Sequence, residues 1–355
     1  MEKEFYMGNR NRLYEMLEPG SLMLLFSGKE LRKSADACYL FYANRNFVYL
    51  TGIQQKESVL LVQKTADGAV KETLYLLPKD RMAERWTGRR LSAAEADAIS
   101  GISDVRSTEL LYQHFHGLTV SGKFARVYLD THRQSPTDMD TPAHIFARYV
   151  QETYPHLSIA TVNPFLRKLR TIKQPCEIEA MRKAEAITRE GILAMMRASR
   201  PGMWEYQYKA EFDRVLGQYS PLEAGFQSII SAGDNNFCIH YDAYTGQARD
   251  GDMILNDVGA QWDNMITDVS RGWPCNGKFT EKQRLLYECA LKTSDYMFSI
   301  IRPGMVFCVD VGIYHEAWGI GFRLEDNCLV TEDGCENLSA ATPRTIEEIE
   351  AVMAK

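Results

Sequence analysis

Short apolar runs alternate with amphipathic stretches through the first 150 residues. Ser21–Phe26, Asn46–Thr51, Glu57–Val62, Glu72–Leu77 and Arg126–Leu129 are rich in Leu, β-branched or aromatic residues and bounded by turn formers, which predicts strands. Ser92–Ile99 reads as a helix, with Ser92 as cap and Glu95 three residues on. Strands interleaved with helices predict an α/β domain with a mixed sheet. Around Tyr154–Pro175 the pattern becomes irregular and then basic, in NPFLRKLRTIKQP, which predicts an inter-domain connection. A length of 355 residues suits two domains. The expected division is 1–155, a connection over 156–175, and 176–355.

The second half opens on a long helical pattern, about Glu177 to Ser199, with Ile178, Met181, Ile187, Ile192 and Met195 at helical spacing. Pro201-Gly202 ends it. An internal echo follows. One unit runs helix, Arg200-Pro201-Gly202-Met203, a second helix (Glu205–Leu216), then strands reaching Asp257-Val258-Gly259. A later unit runs helix (Gln283–Ile301), Arg302-Pro303-Gly304-Met305, then directly the strand VFCVDVG with Asp310-Val311-Gly312. The second copy lacks the helix and strands that follow the first turn, so the repeat reads as truncated.

Composition narrows the classes. At 45% hydrophobic and 25% charged the chain is ordinary globular material, which excludes disordered and fibrous readings. Forty-one basic against 47 acidic residues, with no basic block, argue against nucleic acid as a partner. No apolar run reaches the roughly 18 residues of a membrane span, and the charged N-terminus lacks the apolar core of a signal peptide. The expectation is a cytoplasmic protein without membrane partners. Its eight cysteines, with no C-x-x-C pair, read as reduced core filler.

The candidate chemistry is acidic. Asp257 and Asp268 lie at the ends of an expected hairpin, LNDVGAQWDNMITDVSR; Asp310 and Glu325 flank another, VDVGIYHEAWGIGFRLED. Carboxylates in such apolar strands need a cation, since burying them unpaired is costly and bringing them together raises each pKa. Two divalent ions about 3.5–4 Å apart, sharing bridging carboxylates, would meet that need. The alternative is turn residues paired with Arg271 and Arg323.

The strings LRKLRTIKQPCEIEAMRKA, SAGDNNFCIHYD, DGDMILNDVGAQWDNMITDVSRGWPCNGKFTEKQRLLYE, PGMVF, GIGFRLEDNCLVTEDGCENLS and PRTIEEIEAVM resemble the pita-bread superfamily of creatinase, methionine aminopeptidase and Xaa-Pro aminopeptidase. In the first half, YANRNFVYLTGI, ESVLLV and ERWTGRRLS resemble the N-terminal domain of the Xaa-Pro branch (aminopeptidase P). This resemblance implies an α/β N-terminal domain with a mixed sheet plus an α+β pita-bread C-terminal domain, its second pseudo-repeat truncated. It also implies metal-dependent hydrolysis of peptides with proline in second position. The cofactor would be a divalent metal, manganese first, with cobalt or zinc as alternatives, and its binding weakened or absent here.

Carried over residue by residue, the resemblance makes Asp257, Asp268 and Glu325 metal ligands. Asp310 stands where the family has glutamate, one methylene longer. The histidine ligand expected between the second and third acids is missing, because no histidine occurs between Asp268 and Asp310. His315 should point to the opposite face from Asp310 and does not replace it. An all-carboxylate site leans toward magnesium, calcium or manganese. His240 matches a substrate-positioning histidine, Arg323 and Tyr314 line the substrate side, and Trp86 resembles a tryptophan presented toward a neighbouring subunit's site. His240 and Glu325 would carry the catalytic roles. The implied function is that of an Xaa-Pro aminopeptidase whose activity is weakened or lost, with a non-catalytic peptide- or protein-binding member as the alternative. A homodimer or higher homo-oligomer is expected, covering apolar surface left by the missing segment.

Overall fold

The run SLMLLF has no polar alternation because β1 (Ser21–Phe26) is buried on both faces. Leu22 and Leu24 enter one core cluster; Met23 and Leu25 enter another. Each fully buried side chain of this kind contributes about 1.5–3 kcal/mol. β1 sits inside a six-stranded mixed sheet with β2 (Val59–Lys64), β3 (Val70–Leu76), β4 (Val105–Ser107), β5 (Arg126–Leu129) and β6 (Ser158–Thr161). Their order is β4-β3-β2-β1-β5-β6. The pairs β1–β2 and β2–β3 are antiparallel and the rest parallel.

The computed structural model describes residues 1–220, 222–300 and 306–354, in two units, Met1–Thr171 and Ile172–Lys355. Two expectations for the first unit change. Arg45–Thr51 is a helix, not a strand: the Asn44 side chain accepts from Phe47 N at 3.0 Å, and Gly52 ends the helix at φ +70°. All of Phe47–Thr51 is buried, so no periodicity marked the helix. The segment expected as a connection over 156–175 instead carries β6 and the helix Asn163–Thr171. Leu166 and Leu169 of that helix are buried with the first unit's core, while Arg167 and Lys168 face solvent. The basic run is the wet face of an amphipathic helix. The helix Ala93–Ser100 forms with the expected Ser92–Glu95 capping box.

The second unit is built on an antiparallel sheet. β7 (Ile229–Ala232), β8 (Met253–Val258), β9 (Val269–Pro274), β10 (Val306–His315) and β11 (Ile320–Thr331) lie in the order β10-β11-β9-β8-β7. β12 (Gly334–Asn337) pairs with the end of β11. Helices Pro175–Ala198, Glu205–Leu216 and Glu281–Ile300 flank it, close to their expected bounds. Tyr208, Phe212, Trp273, Tyr287 and Phe322 form the fully buried aromatic part of its core. Both acidic hairpins are present, β8–β9 and β10–β11. Arg200–Met203 ends the long helix, with Gly202 at φ +83° and its N–H bound to Ala248 O at 2.7 Å. The second copy of that motif, residues 302–305, lies outside the described residues.

The cysteines depart from the reading as reduced core filler. Cys328 and Cys335 are disulfide-bonded across the β11–β12 turn. Cys38, Cys176, Cys238 and Cys289 are free and exposed; only Cys275 of the free thiols is buried. Among the described residues no helix is long and apolar enough to cross a membrane.

Candidate metal centre

Sheet register creates the site. Asp310 on β10 pairs with Glu325 on β11, Glu325 with Ser270 on β9, and Ser270 with Asp257 on β8. Directly opposed residues share a face. Three acids from three strands thus form one row, with the Ser270 hydroxyl between, donating to Glu325 Oε2 at 3.0 Å. Asp268 joins from the end of the β8–β9 excursion, immediately before β9. Its backbone carbonyl accepts from Asn327 Nδ2 at 2.7 Å.

Arg323, two residues before Glu325 and on the same face, is the cation of the site. Its Nη2 donates to Asp257 Oδ2, its Nε donates to Ser270 Oγ at 2.9 Å, and its Nη1 reaches Tyr314 Oη at 3.4 Å. Asp310 and Glu325 lie 3.9 Å from its Nε. The pairing with Arg323 weighed from the sequence is therefore made, by Asp257. Arg271, the other candidate partner, points to the opposite face, where it binds Asp326 at 2.6 Å with both side chains fully buried. Gly312 opposes Arg323, and a Cβ there would stand 2.7 Å from the Tyr314 ring, so glycine leaves the room that Tyr314 fills.

One guanidinium does not neutralise four carboxyls. Burial, with Glu325 and Asp257 nearby, pushes Asp268 up to about 8. Burial, with Asp257 and Asp310, pushes Glu325 up to about 7. Asp310 is raised by burial against the opposing pull of Arg323, although its side chain is 48% exposed. Asp257 Oδ1 and Asp268 Oδ1 are buried without a hydrogen-bond partner. Two orphaned carboxylate oxygens within a row of acids suit a cation.

Among the described residues, the group compact enough to hold an ion is Asp268, Cys308 and Glu325, with one ligand atom of each within 4.8 Å of the others. Cys308 departs from the expectation that the cysteines are core filler. Strand alternation carried the signal: in VFCVDVG it stands two residues before Asp310 and on the same face. The other expected members sit differently. Asp257 has one oxygen committed to Arg323, and Asp310 is turned half into solvent.

No histidine belongs to that group. His240 is exposed in the loop after the 3-10 turn Gly233–Phe237, and its neighbour Ile239 offers its carbonyl to Arg323 Nη1 at 3.5 Å. Buried Glu205 fastens this loop by accepting from Ala232 N and Asn235 Nδ2, both at 2.9 Å, and from Gly246 N at 2.6 Å. The His315 ring stacks on Trp318 at 4.4 Å, and the unbroken register from Asp310 to His315 sets the two on alternate faces of β10. Trp86 is in the first unit, on the helix Arg81–Thr87, and is 87% exposed.

Residues 6–128 match the profile of the aminopeptidase P N-terminal domain, and residues 179–304 and 297–332 match metallopeptidase family M24. A solved structure of a candidate aminopeptidase P from Bacillus anthracis is 31% identical, covers 99% of this chain and 98% of its own, and has a TM-score of 0.95. The chain belongs to the aminopeptidase P family. Its two units are accordingly the aminopeptidase P N-terminal domain and the M24 pita-bread domain. The Xaa-Pro aminopeptidase of Escherichia coli K12 is 26% identical, with 99% of this chain and 98% of that one covered. That alignment runs to 448 positions against 355 residues here. Structures of E. coli aminopeptidase P, one with the inhibitor Pro-Leu and one zinc-substituted with product, superpose at a TM-score of 0.90 and 25% identity. Each covers 99% of this chain and 98% of its own. The M24 match is in two pieces that overlap over 297–304.

Proposed function

We propose that this member of the aminopeptidase P family binds peptides with a free N-terminus and proline in second position, and hydrolyses them at strongly reduced rate. The observation that carries this reading is the site's composition: the acids converge, no imidazole joins them, and Arg323 holds one oxygen of Asp257. Asp257, Asp268, Asp310 and Glu325 are the residues that would hold a divalent ion, whether manganese, cobalt or zinc. The orphaned oxygens of Asp257 and Asp268 support that fit. When bound, such an ion supplies positive charge that polarises the scissile carbonyl.

The chain's own groups do the rest. Glu325 is the carboxyl placed in the row to accept and return a proton during the reaction. Tyr314 and Arg323 present a hydroxyl and a guanidinium on the substrate side of the row. His240 stands on the Glu205-fastened loop beside Arg323, where it can meet the peptide. Asp310, short by a methylene and half exposed, would hold an ion less closely than a glutamate, and displacements of about 1 Å at a reacting centre can cost on the order of 100-fold in rate.

A second reading has its own support. The Arg323–Asp257 pair partly neutralises the acids internally, as suits a non-catalytic peptide- or protein-binding member. We also propose a homodimer or higher homo-oligomer, because Leu285, Tyr296, Met297 and Ile300 are exposed on the helix Glu281–Ile300 and Trp86 on its own helix. Light scattering tests that point. For function, Xaa-Pro dipeptides and tripeptides are incubated with purified protein and added manganese, cobalt or zinc. Slow proline-directed cleavage that Glu325→Gln abolishes is expected. Peptide binding without cleavage selects the non-catalytic reading; neither binding nor cleavage overturns both.

A further inference from the structure

We infer that Cys308 is a metal ligand: its thiolate, with Asp268 and Glu325, holds a single thiophilic divalent ion such as zinc or cobalt. The inference rests on the proposal that the acidic row binds a divalent ion, and it goes further by naming the third donor and the class of ion.

The geometry is local to one corner of the sheet. Cys308 pairs with Asn327 across β10–β11, which puts it diagonal to Glu325, the residue two before Asn327. Asp268 arrives from the β8–β9 excursion and completes the triangle within 4.8 Å. A tetrahedral ion with bonds of about 2.0–2.3 Å separates its donors by about 3.5 Å, so a contraction of roughly 1 Å suffices. Asn327 orients two of the three: its Nδ2 donates to Asp268 O at 2.7 Å, and the Cys308 thiol reaches its Oδ1 at 3.8 Å. Outer contacts of this kind orient ligands and support affinity.

A second observation points to a ligand. Asp268 Oδ1, on one of the three donors, is buried without a hydrogen-bond partner. A cation within the triangle gives the Asp268 oxygen the partner it lacks. Thiolate favours zinc and cobalt, whereas an all-carboxylate set favours magnesium, calcium or manganese. On binding, the S–H proton leaves to solvent and a sulfur–metal bond forms, with no change of oxidation state.

The test uses the full chain, stripped with chelator and titrated with cobalt alone, then zinc, then manganese. One cobalt per chain is expected, with a near-ultraviolet sulfur-to-cobalt charge-transfer band. Cys308→Ser should remove the band and weaken zinc at least about 10-fold while leaving manganese little changed. In the unmutated chain, peptide-level alkylation should show zinc protecting Cys308 but not Cys38, Cys176, Cys238 or Cys289. This readout survives even if the variant fails to fold. Cobalt bound without the band, a band that persists in the variant, or unprotected Cys308 overturns the inference while leaving the carboxylate reading intact. If no divalent ion binds at all, both fall.

Discussion

Arg323 donates through Nη2 to Oδ2 of Asp257, so a fixed cation already holds one oxygen of an acid expected to bind metal. The two residues come from β11 and β8, separated in the sheet by β9. The guanidinium spans the row across Ser270.

Replacing Arg323 should therefore have opposite effects on the metal-free and metal-loaded protein. Arg323→Met leaves Asp257 buried without a cation, at a cost of about 3 kcal/mol. It also frees Asp257 Oδ2 for an ion. Thermal melts should show a lower Tm without metal and a larger Tm gain on adding manganese than in the parent. A gain no larger than the parent's would contradict the proposed competition.

The stability of the acidic row should fall as pH rises. Asp268 and Glu325 are pushed up to about 8 and 7 from 3.8 and 4.5, so the folded state binds their protons more tightly than the unfolded state does. Their contribution is full below about pH 4 and is lost as pH climbs through 7 to 8. Tm of metal-free protein is compared between pH 5 and pH 8 with that of Asp268→Asn/Glu325→Gln. The parent should lose more stability over that range, and a bound divalent ion should offset the loss.

The opposite face holds the structural ion pair. Asp326 is fully buried, yet Arg271 at 2.6 Å and Arg344 at 2.8 Å overcome the cost of burial and hold its carboxyl below the usual range. Arg271→Met should cost about 3–5 kcal/mol, a Tm loss on the order of 10 °C. Chemical denaturation checks this. An effect under about 1 kcal/mol would mean that Arg344 alone suffices.

Glu205 should be intolerant even of glutamine. All three contacts we find are donors pointing at it, so an amide NH2 would face at least one N–H. Glu205→Gln should cost about 1–3 kcal/mol. Amide exchange across 232–246 should accelerate while exchange in β1 stays unchanged.

Local pattern alone determined a good deal. Apolar runs placed β1 and β5, the Ser92–Glu95 box placed its helix, and Asp257, Asp268, Asp310 and Glu325 stood at the ends of two expected hairpins, with the family resemblance adding a ligand role. These features depend on residues near one another in sequence, as do caps, turns and strand alternation. Arg45–Thr51 escaped because a helix buried all round has no period to detect. Arg271 and Arg323 were legible as candidate partners of the acids, but which acid each meets, and the place of Cys308, were not. Sheet register brings Arg323 to Asp257, sends Arg271 to Asp326 on the far face, and sets Cys308 beside Asp268 and Glu325. A one-residue slip would exchange those faces, and long-range strand pairing fixes that register.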